Sequence, residues 1–231
     1  MQCASFRYIF RRAITKRDLL MIFSQDGFRE FYRNFCVIPL DENLKETVKD
    51  FPNAENAKYI LAFGYIDREC GFTFEVIACA HKENDLYCFE DTNPRDSVKI
   101  RLSKELANAD LDIIDDEDGE LFDRYIGKLE NLKVYIPSED IEDTRLFAFL
   151  DDARNEFFID DVKIHILKKG FDTEVCWGRL SGLGDKVIKA VLLNEPKQDL
   201  GIHKGDEIAF QVAKESDNSN ICICNLDNLV N

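Results

Sequence analysis

The sequence predicts an α+β protein of two domains, each a mostly antiparallel sheet with helices packed on one face. Three observations predict it. Apolar residues recur at period two in short runs punctuated by Gly, Asn and Asp, as in Val162-Lys163-Ile164-His165-Ile166 and Ile208-Ala209-Phe210-Gln211-Val212, the signature of half-buried strands. Other stretches repeat at helical spacing, such as Leu121, Tyr125 and Leu129. At 231 residues, 45% of them hydrophobic and 18 of them Phe, the chain has apolar material for two cores.

In chain order, Phe6, Tyr8 and Phe10 share one face of a strand, and Thr15-Lys16-Arg17-Asp18 has the form of a helix start. Leu19, Leu20, Ile22 and Phe23 continue that helix, and Phe28, Phe31, Tyr32 and Phe35 keep its spacing after Asp26-Gly27. Val37 to Leu40 is extended, and Asp41 caps a helix carrying Leu44, Val48 and Phe51 on one side. Tyr59–Tyr65 and Phe72–Ala80 form a hairpin across a loop ending in Gly71, followed by strands at Leu86–Phe89 and Val98–Leu102. Asp110 to Glu120 reads as a solvated acidic loop. It is no EF-hand, because placing Gly119 sixth puts Ile114 and Tyr125 at the first and twelfth ligand positions.

A helical stripe from Leu121 to Leu129 and a short strand at Val134-Tyr135-Ile136 complete the first domain. The charges at Glu139, Asp140, Glu142 and Asp143 mark the junction, dividing residues 1–140 from 141–231. A helix over Arg145–Phe158, with Leu146, Phe149, Leu150 and Ala153 inward, is expected to cover the second sheet. That sheet carries Val175-Cys176-Trp177, a turn at Ser181–Asp185, the strand Val187–Leu193 and a turn at His203-Lys204-Gly205-Asp206.

The net charge of −15 is pooled in the middle. Residues 36–144 carry 27 acidic and 12 basic side chains, whereas residues 1–35 carry three and seven. Such a field repels nucleic acid and anionic lipid and speeds encounter with a basic partner protein. The acidic surface is expected at Asp110, Asp112, Asp115, Asp116, Glu117 and Asp118. The beginning of the chain has no apolar leader, and no run approaches the roughly 20 apolar residues of a membrane span, so a cytoplasmic protein is expected. The eight cysteines then read as free thiols. Cys70, Cys79 and Cys88 near His81 are the one metal-like spacing, but no close Cys pair supports a metal, and Cys222-Ile223-Cys224 is expected to turn its thiols to opposite sides.

Catalytic motifs fail on spacing. Ser181 sits one place late for a Gly-x-Ser-x-Gly elbow, and Gly182-Leu183-Gly184 leads into a strand with Val187 where a dinucleotide loop needs its third Gly. No cofactor is expected. The candidate binding residues are Trp177, Asn194, His203, Asp206 and Glu207: an aromatic anchor of the second domain, and a turn where an imidazole neighbours carboxylates.

The marks Glu174 and Trp177, Gly182 and Gly184, Leu193-Asn194-Glu195-Pro196 and Gly205-Asp206 fall in the order of a family of small bacterial domains of unknown function, which the segment Ala153–Cys224 resembles. The resemblance implies a compact α+β domain, a bacterial source and, as in longer relatives, a second uncharacterised domain in front. It implies no established activity. The expectation is a protein-interaction module, of an immunity or regulatory type, that covers a basic protein. The alternatives are a small-ligand sensor with an inter-domain pocket near Trp177, and a hydrolase using His203, Asp206 and Glu207.

Overall fold

The computed structural model describes residues 20–228, so the strand expected at Phe6–Phe10 and the helix start at Thr15 lie outside the described residues. The chain is mixed helix and sheet and divides into two compact units, Met1–Ile136 and Pro137–Asn231.

The first unit runs β1 (Met21–Ile22), α1 (Phe23–Asp26), β2 (Phe35–Pro39), α2 (Glu42–Val48), β3 (Tyr59–Asp67), β4 (Gly71–Glu83), β5 (Leu86–Phe89), β6 (Lys99–Arg101), α3 (Lys104–Ala107), β7 (Asp110–Ile114) and α4 (Glu120–Leu129), then a 3-10 turn at Glu130–Tyr135. Its strands form one antiparallel sheet in the order β1-β7-β2-β3-β4-β5, with β6 also on β4. Local chemistry sets the turns. Asp67 accepts from the Glu69 and Cys70 amides at 2.9 and 3.2 Å before Gly71, whose φ of 86° suits a residue without a Cβ. Asn84 and Asp85 both take positive φ, 50° and 63°, which closes the two-residue β4–β5 hairpin. Asp41 caps α2 through the Leu44 amide at 2.8 Å.

One face of this sheet, with Phe35, Val37, Leu61, Tyr65, Ile77 and Phe89, packs beneath Leu121, Tyr125, Leu129 and Leu132. These last four repeat every three or four residues and so form one helical stripe. The other face buries Cys36, Ile38, Ile60, Phe72 and Phe74, with Phe23, Phe72 and Phe74 in edge-on ring contacts. Lys128, only 3% exposed, pins α4 to the sheet. Its ammonium donates to the carbonyls of Val76 and Asp96 and lies 4.6 Å from the Phe51 ring centroid.

The second unit opens with α5 (Glu139–Leu146) and a 3-10 turn at Ala148–Ala153, then β8 (Asp161–Leu167), β9 (Glu174–Gly184), β10 (Val187–Leu192), β11 (Glu207–Lys214) and β12 (Asn220–Asn225). The five strands close into a barrel in chain order. Successive strands run antiparallel, and five is odd, so the closing pair β12–β8 must be parallel. Val162, Ile164, Ile166, Cys176, Leu180, Phe210, Cys222 and Cys224 fill its interior. Gly178 is held small by this packing, since a Cβ there would lie 2.6 Å from Ile164 Cδ1. Arg145, 1% exposed, is buried against Asp160 through two bonds of 3.0 and 2.7 Å.

Several expectations are corrected. Met21–Ile22 is a strand, because it pairs with Asp110–Leu111, and only a 3-10 turn, Phe28–Glu30, stands where helical spacing continued. Asp110–Ile114 is no loop but an inner strand between β1 and β2: alternation at Leu111 and Ile113 outweighed the acids. Glu130–Tyr135 is a 3-10 turn, not a strand. Glu139, Asp140 and Glu142, expected at the junction, form the first turn of α5 just after the division between the units, where they face the positive helix end. The long helix from Arg145 is broken at Phe147, which leaves Leu146 and Phe149 exposed while Leu150 and Ala153 are buried. Ser181–Gly184 belongs to β9, and the turn is at Asp185-Lys186. Cys222 and Cys224 lie two residues apart on one strand, so they share the barrel's inner face.

Candidate functional site

On the helix-covered side of the first sheet lies a pocket of 180 Å³. Phe63 and Tyr65 on β3, Phe122 and Leu129 on α4, and Leu132 and Tyr135 beyond it supply apolar walls, with Arg33, Glu130 and Lys133 also lining it. The segment before β2 is strapped to β3. The Arg33 amide donates to Gly64 O at 2.8 Å, the Gly64 amide to Asn34 O at 3.1 Å, and a Cβ on Gly64 would sit 2.1 Å from Phe31 O. Only glycine permits that approach, and the strap is what brings Tyr32 and Arg33 to the pocket.

Tyr65 is 4% exposed, and its hydroxyl is fully buried beside that of Tyr135. Its ring meets that of Tyr135 at 4.6 Å between centroids. Behind them, Lys99 Nζ donates to the Tyr135 hydroxyl at 2.8 Å, and Ser97 donates to Glu75 Oε1 at 2.6 Å, while Glu75 Oε2 is buried and unpartnered. Burial is the first cause holding the Tyr65 phenol protonated far above its ordinary range, and Tyr135, Glu75 and Asp67 add to it. Burial likewise raises Glu75, against the opposing pull of Ser97, Lys128 and Lys99. Phe122 on α4 and Ile136 beyond it line this pocket and are exposed large apolar side chains.

The residues singled out in the sequence are placed differently. Cys176, Gly178 and Leu180 point into the barrel, so Trp177 lies half-buried on its outside, with Lys163 Nζ 5.7 Å from the ring centroid. Asn194 Oδ1 accepts from the Trp177 amide at 2.7 Å. Glu174 accepts from the Lys197 and Gln198 amides at 2.7 and 2.6 Å, and these bonds hold its carboxyl below the usual range. Glu195 binds His203 Nδ1 at 2.7 Å and the Lys204 amide at 2.8 Å, and Asp206 accepts from the His203 amide at 2.7 Å. The Glu195 bond raises the His203 pKa and lowers that of Glu195. Glu207 turns elsewhere, accepting from Ser181 at 2.8 Å. His203, Asp206 and Glu207 are thus exposed and not convergent, and the motif residues Glu174, Asn194 and Asp206 fasten the β10–β11 connection.

The predicted acidic surface is also partly engaged. Asp112 accepts from the Tyr87 hydroxyl, and Asp116 caps α4 through the Leu121 and Phe122 amides at 2.8 and 2.9 Å. Asp110, Glu117 and Asp118 are exposed, whereas Asp112, Asp115 and Asp116 are half-buried. For a metal, His81, Glu83 and Cys88 present ligand atoms all within 4.8 Å of one another. No helix among the described residues is long and apolar enough to cross a membrane. The pocket itself was missed in the sequence because its walls come from separate elements, with Tyr135 seventy residues beyond Tyr65. No protein-family description, curated protein or solved structure matches the chain.

Proposed function

We propose that the protein is a protein-interaction module whose first unit receives an aromatic side chain of a basic partner in the pocket beside Tyr65. The observation that carries this reading is an apolar pocket of 180 Å³ walled by Phe63, Tyr65, Leu129 and Tyr135, with the exposed Phe122 and Ile136 at its edge. Binding hot spots have this form: a desolvated apolar pocket with one polar group, inside a less demanding rim. An aromatic side chain fits the apolar walls, and Arg33, Glu130 and Lys133 line the pocket beside them. The 27 acidic against 12 basic residues of positions 36–144 favour a partner of positive charge and a salt-sensitive association rate. On this reading the two units are separate domains in the cytoplasm, where seven free cysteines among the described residues are stable.

The test is affinity capture from native lysate at low and high salt with the wild type and with Phe122→Asp and Tyr65→Phe. A basic protein retained at low salt by the wild type and lost with Phe122→Asp is expected. Equal recovery by all three, or no salt-sensitive partner, argues against it. A second reading, a small-ligand sensor, rests on the same apolar pocket. Stabilisation by p-cresol in a thermal-shift series, with no captured protein, would favour that reading instead.

A further inference from the structure

The β4–β5 edge of the first sheet gathers side chains that the pocket does not use. His81 lies directly across from Cys88 in the antiparallel register, and Glu83 follows His81 by two residues on the same face. Cys79 and Glu90 occupy the next positions of that face, joined by the Glu90 amide donating to Cys79 O at 3.0 Å. The imidazole is bracketed by carboxylates: Nε2 lies 3.3 Å from Glu83 Oε1 and Nδ1 lies 3.6 Å from Glu90 Oε1. Cys88 is 3% exposed, whereas the His81 and Glu83 side chains are about one-third exposed. The partly exposed His81 and Glu83 side chains give solvent access, and a cleft of 540 Å³ lined by Cys79, His81 and Glu90 adjoins the imidazole.

We propose that His81 Nε2, the Cys88 thiolate and the Glu83 carboxylate bind a divalent transition metal ion of the zinc class, with water in the fourth position. Tetrahedral zinc with bonds of about 2.0–2.1 Å to nitrogen and oxygen separates those two donors by roughly 3.3 Å, the spacing His81 and Glu83 already hold. A thiolate, an imidazole and a carboxylate suit a borderline ion, whereas calcium and magnesium take all-oxygen shells. Neutral imidazole, thiolate and carboxylate together carry two negative charges, which neutralise the ion. The thiol proton leaves to solvent on binding, so affinity rises with pH. Glu90 beside Nδ1 is placed to accept the ring's other proton and fix the tautomer, the usual outer partner of a metal-bound histidine. A structural site would close with a fourth protein ligand. This one is open toward the cleft.

Cobalt(II) titration of the full chain tests the assignment, because a thiolate ligand gives a near-ultraviolet charge-transfer band and four-coordination gives intense visible bands. One equivalent bound with both signatures, displaced by zinc, is expected. Cys88→Ser is expected to abolish the thiolate band, Glu90→Gln to weaken binding about 10–100-fold, and Cys224→Ser, inside the barrel, to change nothing. Where Cys88→Ser fails to fold, His81→Gln serves, with an expected loss of at least tenfold in affinity. Absence of the thiolate band in the wild type, its persistence in Cys88→Ser, or affinity unchanged by His81→Gln overturns the site.

Discussion

Removing Asp160 isolates a cationic side chain inside the second unit. Arg145 and Asp160 are 1% and 2% exposed and share two bonds of 3.0 and 2.7 Å, while Arg145 Nη1 also reaches Glu142 at 3.2 Å. Breaking a buried pair by deleting one partner costs about 3–5 kcal/mol, because the survivor stays desolvated without its counter-charge. Glu142 remains beside the guanidinium, so Asp160→Ala is expected near the low end, about 3 kcal/mol. Arg145→Met with Asp160→Leu removes both charges and should stay within about 1 kcal/mol of the wild type, since apolar replacements of buried pairs are often neutral. Urea unfolding followed by Trp177, the only tryptophan of the chain, reports this unit alone. With a slope of about 1.5 kcal/mol per molar urea, the single change lowers the midpoint by roughly 2 M. A shift equivalent to less than about 1 kcal/mol for Asp160→Ala, or a double variant as unstable as the single one, would refute the reasoning. Either result would mean that the pair is solvated or that the loss comes from packing.

Gly64→Ala should destabilise the first unit by about 1–3 kcal/mol, read by thermal unfolding, because its Cβ meets Phe31 O at 2.1 Å and the strap must shift. Glu174→Gln should speed hydrogen exchange at the Lys197 and Gln198 amides. In the wild type the carboxyl's lowered pKa means its stabilisation is present above the ordinary glutamate range and is lost as pH falls through the lowered value. His203 should titrate above an ordinary imidazole by NMR, and Glu195→Gln should return it toward the ordinary value. Its raised pKa makes the pair's contribution full below about pH 6.5, down to where Glu195 itself protonates, and lost as pH rises through the raised value. Burial pushes the Cys222 and Cys224 thiols up to about 12 and about 11, so at pH near 8 both should resist a thiol reagent until urea unfolds the barrel.

Strands were the most legible part of the chain. The runs Tyr59–Tyr65, Phe72–Ala80, Leu86–Phe89 and Val162–Ile166 are strands, because side-chain alternation is local and each run is bounded by its own turn chemistry. Asp41 likewise announced its helix, since capping involves only neighbours in sequence. Where helical spacing competed with long-range pairing, pairing prevailed: Met21–Ile22 joined β7, and the acidic run at Asp110 became an inner strand. Asn194 and Asp206, expected to bind, accept the backbone amides of Trp177 and His203, and the mark Glu174 accepts those of Lys197 and Gln198, because a side-chain oxygen suits a backbone amide as well as a ligand. The candidate sites were not legible. Tyr65 meets Leu129 and Tyr135 only after α4 folds over the sheet, and His81 meets Cys88 only once the β4–β5 register is set.

The sequence alone determined the alternating strand runs, the turns at Asp67–Gly71 and Asn84-Asp85 and the pooled negative charge, since each depends on residues close along the chain or on simple sums. The tertiary structure decided closure of the barrel, the burial of Arg145 against Asp160, and the two places where side chains converge. The physical reason is distance: pairing register and helix docking join residues far apart in sequence, and their energies outweigh the weak local preferences that a linear reading can see.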